Sequence, residues 1–164
     1  MNAAEYAQTI TSARDYLFDR IRLALPTECE MEKRFIMPGV VGETEWSGAL
    51  VNRQTGKIRL FVMLISSLGA ADLAKTAGAK NFKPEMKITF ELFHNHLQGT
   101  DGANSQDEFE ADALKLQFAI ETNRYLEPNG KIEDYSFNLG KQRSNISLHY
   151  GRGDLTVNFR EIRY

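Results

Sequence analysis

Cysteine is nearly absent from this chain, and so is an excess of either charge. The single cysteine, Cys29, has no second thiol to pair with, so no internal disulfide can form and a reducing compartment is expected. The formal net charge of −2 lacks the basic excess of a broad nucleic-acid footprint, although a local basic patch is still compatible with it. With 164 residues, 42% of them hydrophobic, the chain can bury a core as one domain without a disulfide or a metal.

The chain also lacks a hydrophobic run long enough to cross a bilayer. Its most apolar stretch, LFVMLISSLGAA from Leu60 to Ala71, is short and is interrupted by serines and a glycine, whereas a membrane-spanning helix needs about 20 apolar residues. The N-terminal segment MNAAEYAQTITSARDYLFDR is amphipathic and lacks the basic region and apolar core of a secretory signal. These features predict a soluble protein in the cytoplasm where it is made.

Residues 3–25 have the periodicity of one amphipathic helix. Its apolar positions recur every three or four residues and form one stripe: Tyr6, Ile10, Ala13, Leu17, Ile21 and Ala24. Asn2 and Glu5 predict a capping-box start. Pro26 predicts the end, because the residue before a proline disfavours helical backbone. One face of this helix should therefore be buried.

Strand patterns occupy the middle and the C-terminal third of the chain. A short strand is predicted at 33–37, and WSGALVN (46–52) and KIRLFVMLIS (57–66) predict a hairpin around a loop that ends in Gly56. The second arm is apolar on both faces, which is typical of a central strand. Residues 66–86 predict a long loop with a helical turn near 72–75, and further strands are predicted over 86–96, 134–139, 145–150 and 154–162. The fold class is therefore α+β, with two main helices packed on a mainly antiparallel β-sheet and a long loop insertion around 66–86.

A second helix is predicted from Ser105 to about Leu126, starting with an S-x-x-E capping box at Ser105 and Glu108. Four acidic residues load its first two turns and suit the helix dipole: Asp107, Glu108, Glu110 and Asp112. One apolar stripe comprises Phe109, Ala113, Leu116 and Ile120, and a second, nearly opposite, comprises Ala111, Leu114, Phe118 and Tyr125. A helix that is apolar on two sides needs two partners. Either the first helix or a neighbouring subunit covers the second stripe.

The stretch FHNHLQGTDG places His94 and His96 two residues apart. In a strand these residues share a face, so both imidazoles could bind one metal ion. Further zinc ligands would come from residues without a diagnostic spacing: Asp101, Asp107, His149 and Cys29. In nucleases of the His-Asn-His type, moreover, the three letters are dispersed over a longer motif. The stretch therefore predicts a strand end that leads into a polar loop, with no metal and no cofactor.

The letters Arg152-Gly153-Asp154 do not predict an integrin-binding site. Gly151 and Gly153 flank Arg152 and predict a turn between two strands. No G-x-S-x-G motif occurs, and Cys29 lies between two glutamates that would raise the pKa of a thiol. The loop GTDGANS before the second helix does not match a phosphate-binding consensus. No catalytic residue is assigned.

The order of the elements from residue 86 to the C-terminus is distinctive. MKITFELFHNHLQGTDGANSQDEFEADALKLQFAIETNRYLEPNG gives a strand, a polar loop, a helix with an early aromatic and a glycine turn, and ISLHYGRGDLTVNFREIRY closes the chain with two strands. Together with the helix at 3–25, this arrangement resembles the tail-terminator (tail-completion) and neck proteins of long-tailed bacteriophages. The most family-like motifs are Asn123-Arg124-Tyr125-Leu126 and LTVNFREI, and residues 26–86 lie outside the resemblance.

The resemblance implies a small α+β subunit that assembles with copies of itself into a ring, commonly a hexamer. Such a ring caps the tail tube and joins it to the head connector, and DNA passes through the lumen only as cargo. No catalytic residues come with the family. The implied protein is a virion structural protein, a tail terminator or neck subunit, found in the virion and in the host cytoplasm during assembly and not in a membrane.

The expected subunit contacts are the edge strands, the second stripe of the second helix and the long loops. The candidate interface residues are Ala111, Leu114, Phe118, Tyr125, Lys75, Lys80, Lys83, His94 and His96. Two alternative functions remain beside the structural role in a virion. One is a metal-dependent nuclease centred on His94 and His96. The other is a small intracellular binding domain that adds a peptide to an exposed sheet edge.

Overall fold

Two helices and seven strands make up the part of the chain that the structure, a computed structural model, describes: residues 1–32, 59–71, 81–95, 102–142 and 148–163. In chain order the elements are α1 (Ala3–Ala24), β1 (Glu30–Glu32), β2 (Arg59–Ala71), β3 (Asn81–Asn95), α2 (Gly102–Thr122), β4 (Tyr125–Leu126), β5 (Gly130–Gln142), β6 (Leu148–Phe159) and β7 (Ile162–Arg163). The predicted α+β class is confirmed.

The strands form one sheet in the order β1-β2-β3-β6-β5-β4, and β7 pairs with the beginning of β3. β1 runs parallel to β2, and the other described pairs are antiparallel. The register sets Arg59 of β2 opposite His94 of β3, and His94 opposite His149 of β6. Because directly opposed residues share a face, these three side chains form one row across three strands.

The hydrophobic core lies between one face of the sheet and both helices. α1 buries Ile10, Ala13, Leu17, Phe18 and Ile21. They join the core-facing residues of α2 and the helix-facing residues of strands β2 to β6 in a single cluster: Phe109, Ala113, Leu116, Ala119, Ile120, Phe61, Met63, Met86, Ile88, Phe90, Leu92, Leu126, Ile132, Leu155, Val157 and Phe159. The single buried face predicted for the first helix is therefore confirmed.

The ends of α1 follow the sequence closely. Asn2 Oδ1 accepts from the backbone N–H of Glu5 at 2.9 Å, and the backbone N–H of Asn2 donates to Glu5 Oε2 at 2.8 Å. This is the predicted capping box, which satisfies two otherwise unpaired backbone donors. At the other end, Leu25 has extended backbone and still donates to the Ile21 carbonyl at 2.9 Å, as expected for the residue before a proline.

β2 is buried on both faces, as predicted: Leu60, Phe61, Val62, Met63 and Leu64 are each at most 4% exposed. The long loop predicted over 66–86, however, is wrong at both ends. Residues 66–71 extend β2 and residues 81–86 begin β3, and the two stretches pair with each other. Backbone pairing here overrides the low strand propensity of small residues. Residues 72–80, with the predicted helical turn, lie outside the described residues, as do the predicted strands at 33–37 and 46–52.

α2 begins at Gly102 and ends at Thr122, and both predicted boundaries are wrong. Ser105 therefore lies inside the helix and not at its N-cap. The acidic residues 107–112 fall in the second and third turns, and none of them belongs to the first turn. Tyr125 and Leu126, predicted as helix, form β4 and turn through residues 127–129 into β5.

β6 runs unbroken through Gly151 and Gly153, so the predicted turn between two strands is wrong. Both glycines face the helices, where large aromatic rings occupy the space beside the strand. A Cβ at Gly151 would lie 2.6 Å from Cζ of Phe137, and a Cβ at Gly153 would collide with Cζ of Phe90 and the carbonyl oxygen of Ser136. These glycines make room for side chains and do not supply a turn.

Candidate functional site

α2 presents large apolar side chains to solvent on the side away from the core. Leu114 is 65% exposed and Phe118 is 66% exposed, and Ala111 is exposed on the same face. Tyr125, 73% exposed, follows in β4. These four residues, called the α2 stripe below, are the predicted second stripe. The alternative in which the first helix covers them is wrong, and their role in a subunit contact stays a prediction.

The opposite side of α2 is buried, as predicted for the first stripe. Phe109, Ala113, Leu116 and Ile120 are each at most 5% exposed. α2 is therefore a helix with one apolar face in the core and a second apolar face in water. A surface helix of a monomer normally carries polar residues on its outer face, so the exposed apolar face of α2 is a candidate binding surface.

A buried ion pair fixes α2 to the sheet. Arg59 donates from Nε to Asp112 Oδ2 and from Nη2 to Asp112 Oδ1, both at 2.8 Å. His94 Nε2 lies 3.0 Å from Oδ2 of the same carboxylate. Asp112 is completely buried and His94 is 1% exposed. The contact joins β2, β3 and α2 at one point.

The partners of Asp112 decide its ionisation. Burial alone would raise the pKa of this carboxyl, but its contacts with His94 and Arg59 outweigh burial, and the net pKa is lowered. The same contact raises the pKa of Arg59. Asp112 is therefore an anion held beside Arg59 and His94, and it is not poised to act as an acid at neutral pH. The sequence interpretation of Asp112 as a helix-dipole residue missed this role.

Aromatic contacts surround the ion pair. The Phe109 ring, one turn before Asp112, stacks on His149 at 5.5 Å and meets His94 edge-on at 5.3 Å. Both histidines are almost fully buried. Within the described residues no group of three or more His, Cys, Asp or Glu side chains is arranged to hold a metal ion. Two residues of the alternative nuclease site, His96 and Asp101, lie outside the described residues.

The three lysines predicted to lie in one long loop are not all in a loop. Lys83 lies in β3 opposite Ala71 and is half-buried. Lys75 and Lys80 lie outside the described residues. Lys83 lines a cleft of about 760 Å³ beside Tyr125, and this cleft contains charged residues of both signs. Its cations are Lys83, Lys131 and Arg160, and its anions are Glu127, Glu133 and Glu161.

A second polar cluster lies on the sheet face away from the helices. Glu91 is 2% exposed, accepts from the Tyr150 hydroxyl at 2.7 Å and lies 4.0 Å from Arg152 Nη1. Burial raises the pKa of Glu91, and its contacts with Tyr150 and Arg152 only partly oppose that rise. Arg152 and Asp154 lie in the middle of β6, opposite Glu91 and Thr89 of β3, and the Thr89 hydroxyl donates to Asp154 at 2.6 Å. The letters Arg-Gly-Asp do not form a loop tip.

The C-terminal end of α2 is tied to β5 next to Tyr125. Arg124 donates to both oxygens of Glu121 at 3.0–3.1 Å, and the Tyr135 hydroxyl donates to Glu121 at 2.6 Å. The hydrogen bond from Tyr135, followed by the bonds from Arg124, lowers the pKa of Glu121. This cluster holds the turn from which Tyr125 projects, and the sequence analysis did not identify it.

No protein family model matches the chain, and no curated protein matches it. One solved structure with a similar arrangement is the sheath/tube terminator, in its extended state, of the extracellular contractile injection system PVC. The TM-score is 0.38 at 8% sequence identity, and the alignment covers 93% of this chain and 56% of that chain. The chain thus spans little more than half the length of that protein, and at this TM-score the similarity carries no argument about function. Neither described helix combines the length and the apolar character that crossing a membrane would require.

Proposed function

We propose that this chain is a structural subunit of a tailed virus-like particle, a tail terminator or neck protein that forms a ring. The ring would join the tail tube to the head connector, and DNA would pass through it as cargo. Six copies are proposed because the phage family that the sequence resembles commonly forms hexamers. The role is carried by association and needs no catalytic residue and no cofactor.

The observation that supports assembly most directly is the α2 stripe. Burying one large apolar side chain contributes roughly 1.5–3 kcal/mol, and Leu114, Phe118 and Tyr125 each leave more than half of that contribution unused, at 65%, 66% and 73% exposure. Single exposed apolar residues are common, but a set of large ones on one side of a fold is typical of an interaction surface. Aromatic residues such as Phe118 and Tyr125 are also enriched in interface cores.

The architecture explains how the stripe would be held for assembly. Its helix is fixed from the core side by Asp112 with Arg59 and at its C-terminal end by Glu121 with Arg124. A surface that is already ordered loses less conformational entropy when it binds. An interface on this face of α2 would therefore form without rearranging the subunit.

The test is the composition of particles. Tailed particles would be purified from cells that make the chain at its natural level, and mass spectrometry and electron microscopy would locate it. We expect the chain at the end of the tail tube, in one ring per particle. Genes for portal, connector and major tail proteins beside its own gene would agree with this result. Absence of the chain from purified particles would contradict the proposal.

A matched pair of variants links the role to the stripe. Leu114→Asp with Phe118→Asp puts charge on the α2 stripe, whereas Leu68→Asp changes another exposed leucine, 57% exposed on β2. We expect the first variant to be lost from particles and the second to be incorporated. Equal incorporation of both would show that the α2 stripe is not an assembly surface.

A further inference from the structure

We propose that the α2 stripe docks on the C-terminal end of α1 of a second copy of this chain, in a head-to-tail contact. This inference rests on the proposed ring and names the surface that receives the stripe. The receiving surface, called the α1 patch below, consists of Arg20, Arg22 and Leu23.

The α1 patch is an exposed apolar side chain beside two cations, of which Arg22 also lies 3.7 Å from Asp19. Leu23 is 78% exposed, the highest value among the described large hydrophobic residues. Arg20, one turn earlier, lies over the Tyr16 ring at 4.9 Å, and Arg22 lies over the Phe18 ring at 5.1 Å. Stacked in this way, both guanidinium groups are already partly ordered. Arginine beside apolar surface is a preferred composition for the centre of an interface.

The rim of the α2 stripe carries the opposite charge. Asp107 and Glu110 are exposed one turn before Ala111 and Leu114, and the Gln106 amide donates to Glu110 at 2.9 Å. The other charges beside the stripe have neighbours of opposite sign. Lys115 lies 4.0 Å from Asp112, and Glu121 is bonded to Arg124. The N-terminal half of the stripe therefore presents apolar surface with a negative rim.

These two surfaces complement each other in charge and in apolar character. One chain carries both, on different helices, so contact between two copies uses a different surface from each. Such a heterologous contact leaves one stripe and one patch open at the ends of a dimer, and repeated addition closes into a ring when the rotation allows. Opposite charges would set the orientation and speed the encounter, while the apolar side chains would supply most of the affinity.

The experiment uses two complementary variants of the full chain. The stripe variant is Leu114→Asp with Phe118→Asp, and the patch variant is Arg20→Glu with Leu23→Asp. Light scattering after size exclusion, over a range of concentrations, measures their association. Circular dichroism confirms that each is folded, and Leu114→Ser with Phe118→Ser replaces the stripe variant if the aspartates unfold it. Leu68→Asp is the control outside both surfaces.

We expect the wild type and Leu68→Asp to form the closed oligomer. Each variant alone should be monomeric, with the dissociation constant raised at least about tenfold. An equimolar mixture of the two variants should give dimers and nothing larger, since only one intact patch can then meet one intact stripe. A patch variant that assembles like the wild type, or a mixture that stays monomeric, would overturn the inference. A wild type that is monomeric at every concentration would also overturn it, while the particle composition would still decide the proposed function separately.

Discussion

Replacing Asp112 with asparagine measures how much the buried ion pair contributes to stability. The change keeps the shape of the side chain but removes the charge that Arg59 and His94 face at 2.8–3.0 Å. Arg59 is only 12% exposed in this position, so its guanidinium cannot be fully hydrated after the loss. Removing one partner of a buried pair costs about 3–5 kcal/mol. Asparagine retains one acceptor oxygen, so we expect about 3 kcal/mol.

Urea unfolding followed by circular dichroism at pH 7 gives the free energy of unfolding for each variant. The single variants Arg59→Met and Asp112→Leu and the double variant that combines them complete a cycle. The double variant should lose clearly less stability than the sum of the single changes, because an apolar pair leaves no uncompensated charge. A loss below about 1 kcal/mol for Asp112→Asn, or strict additivity in the cycle, would refute the assigned contact.

The pH dependence gives the same contact a second test. The pKa of Asp112 in the folded chain lies below its ordinary value of 3.8. Its stabilising contribution is therefore fully present above that value and is lost as the pH falls through the folded pKa, because the unfolded chain takes up the proton first. We expect the difference between wild type and Asp112→Asn to shrink below about pH 4. A difference that stays constant down to low pH would contradict the lowered pKa.

Three further predictions concern other parts of the fold. Glu91→Gln should raise the free energy of unfolding at pH 7. The pKa of Glu91 is raised in the folded chain, so the ionised carboxylate destabilises the fold at pH 7, whereas the protonated carboxyl at low pH does not. The gain should therefore vanish as a urea series approaches pH 4.5. Gly153→Ala should cost about 2 kcal/mol or more by overpacking against Phe90, whereas Gly69→Ala, with nothing within 4 Å of the added Cβ, should be nearly neutral; equal effects would refute the packing argument. Asn2→Ala should cost about 1 kcal/mol in thermal or urea unfolding, and no loss would show that the capping box does not stabilise α1.

The parts of the fold that depend on local chemistry could be predicted from the sequence. The capping box of Asn2 and Glu5 and the apolar periodicity of α1 are local features, and both are confirmed. The two-sided burial of β2 also follows from its own residues, because an uninterrupted apolar run can be satisfied only between two covered faces. The two stripes of α2 could likewise be recognised from spacing alone.

Features that depend on distant residues could not be predicted. Arg59 and Asp112 are 53 residues apart, and no local pattern distinguishes Asp112 from the neighbouring acidic residues of its helix. Gly151 and Gly153 resemble a turn until the register places them beside Phe137 and Phe90. The strand extensions at 66–71 and 81–86 depend on pairing with each other, which overrides the turn-like composition of both segments.

The buried ion pair also explains why the α2 stripe faces outward. α2 is apolar on two opposite faces, so hydrophobic burial alone gives little preference for which face enters the core. Asp112 removes this ambiguity, because only one rotation of the helix brings its carboxylate to Arg59 and His94, and any other rotation leaves a buried charge unpaired. Polar groups in a core can fix orientation in this way even when they add little net stability. The double variant with Arg59→Met and Asp112→Leu should therefore keep much of its stability but associate less specifically than the wild type. Light scattering would show this as a broad range of oligomers, and a single closed oligomer, as proposed for the wild type, would refute the orienting role of Asp112.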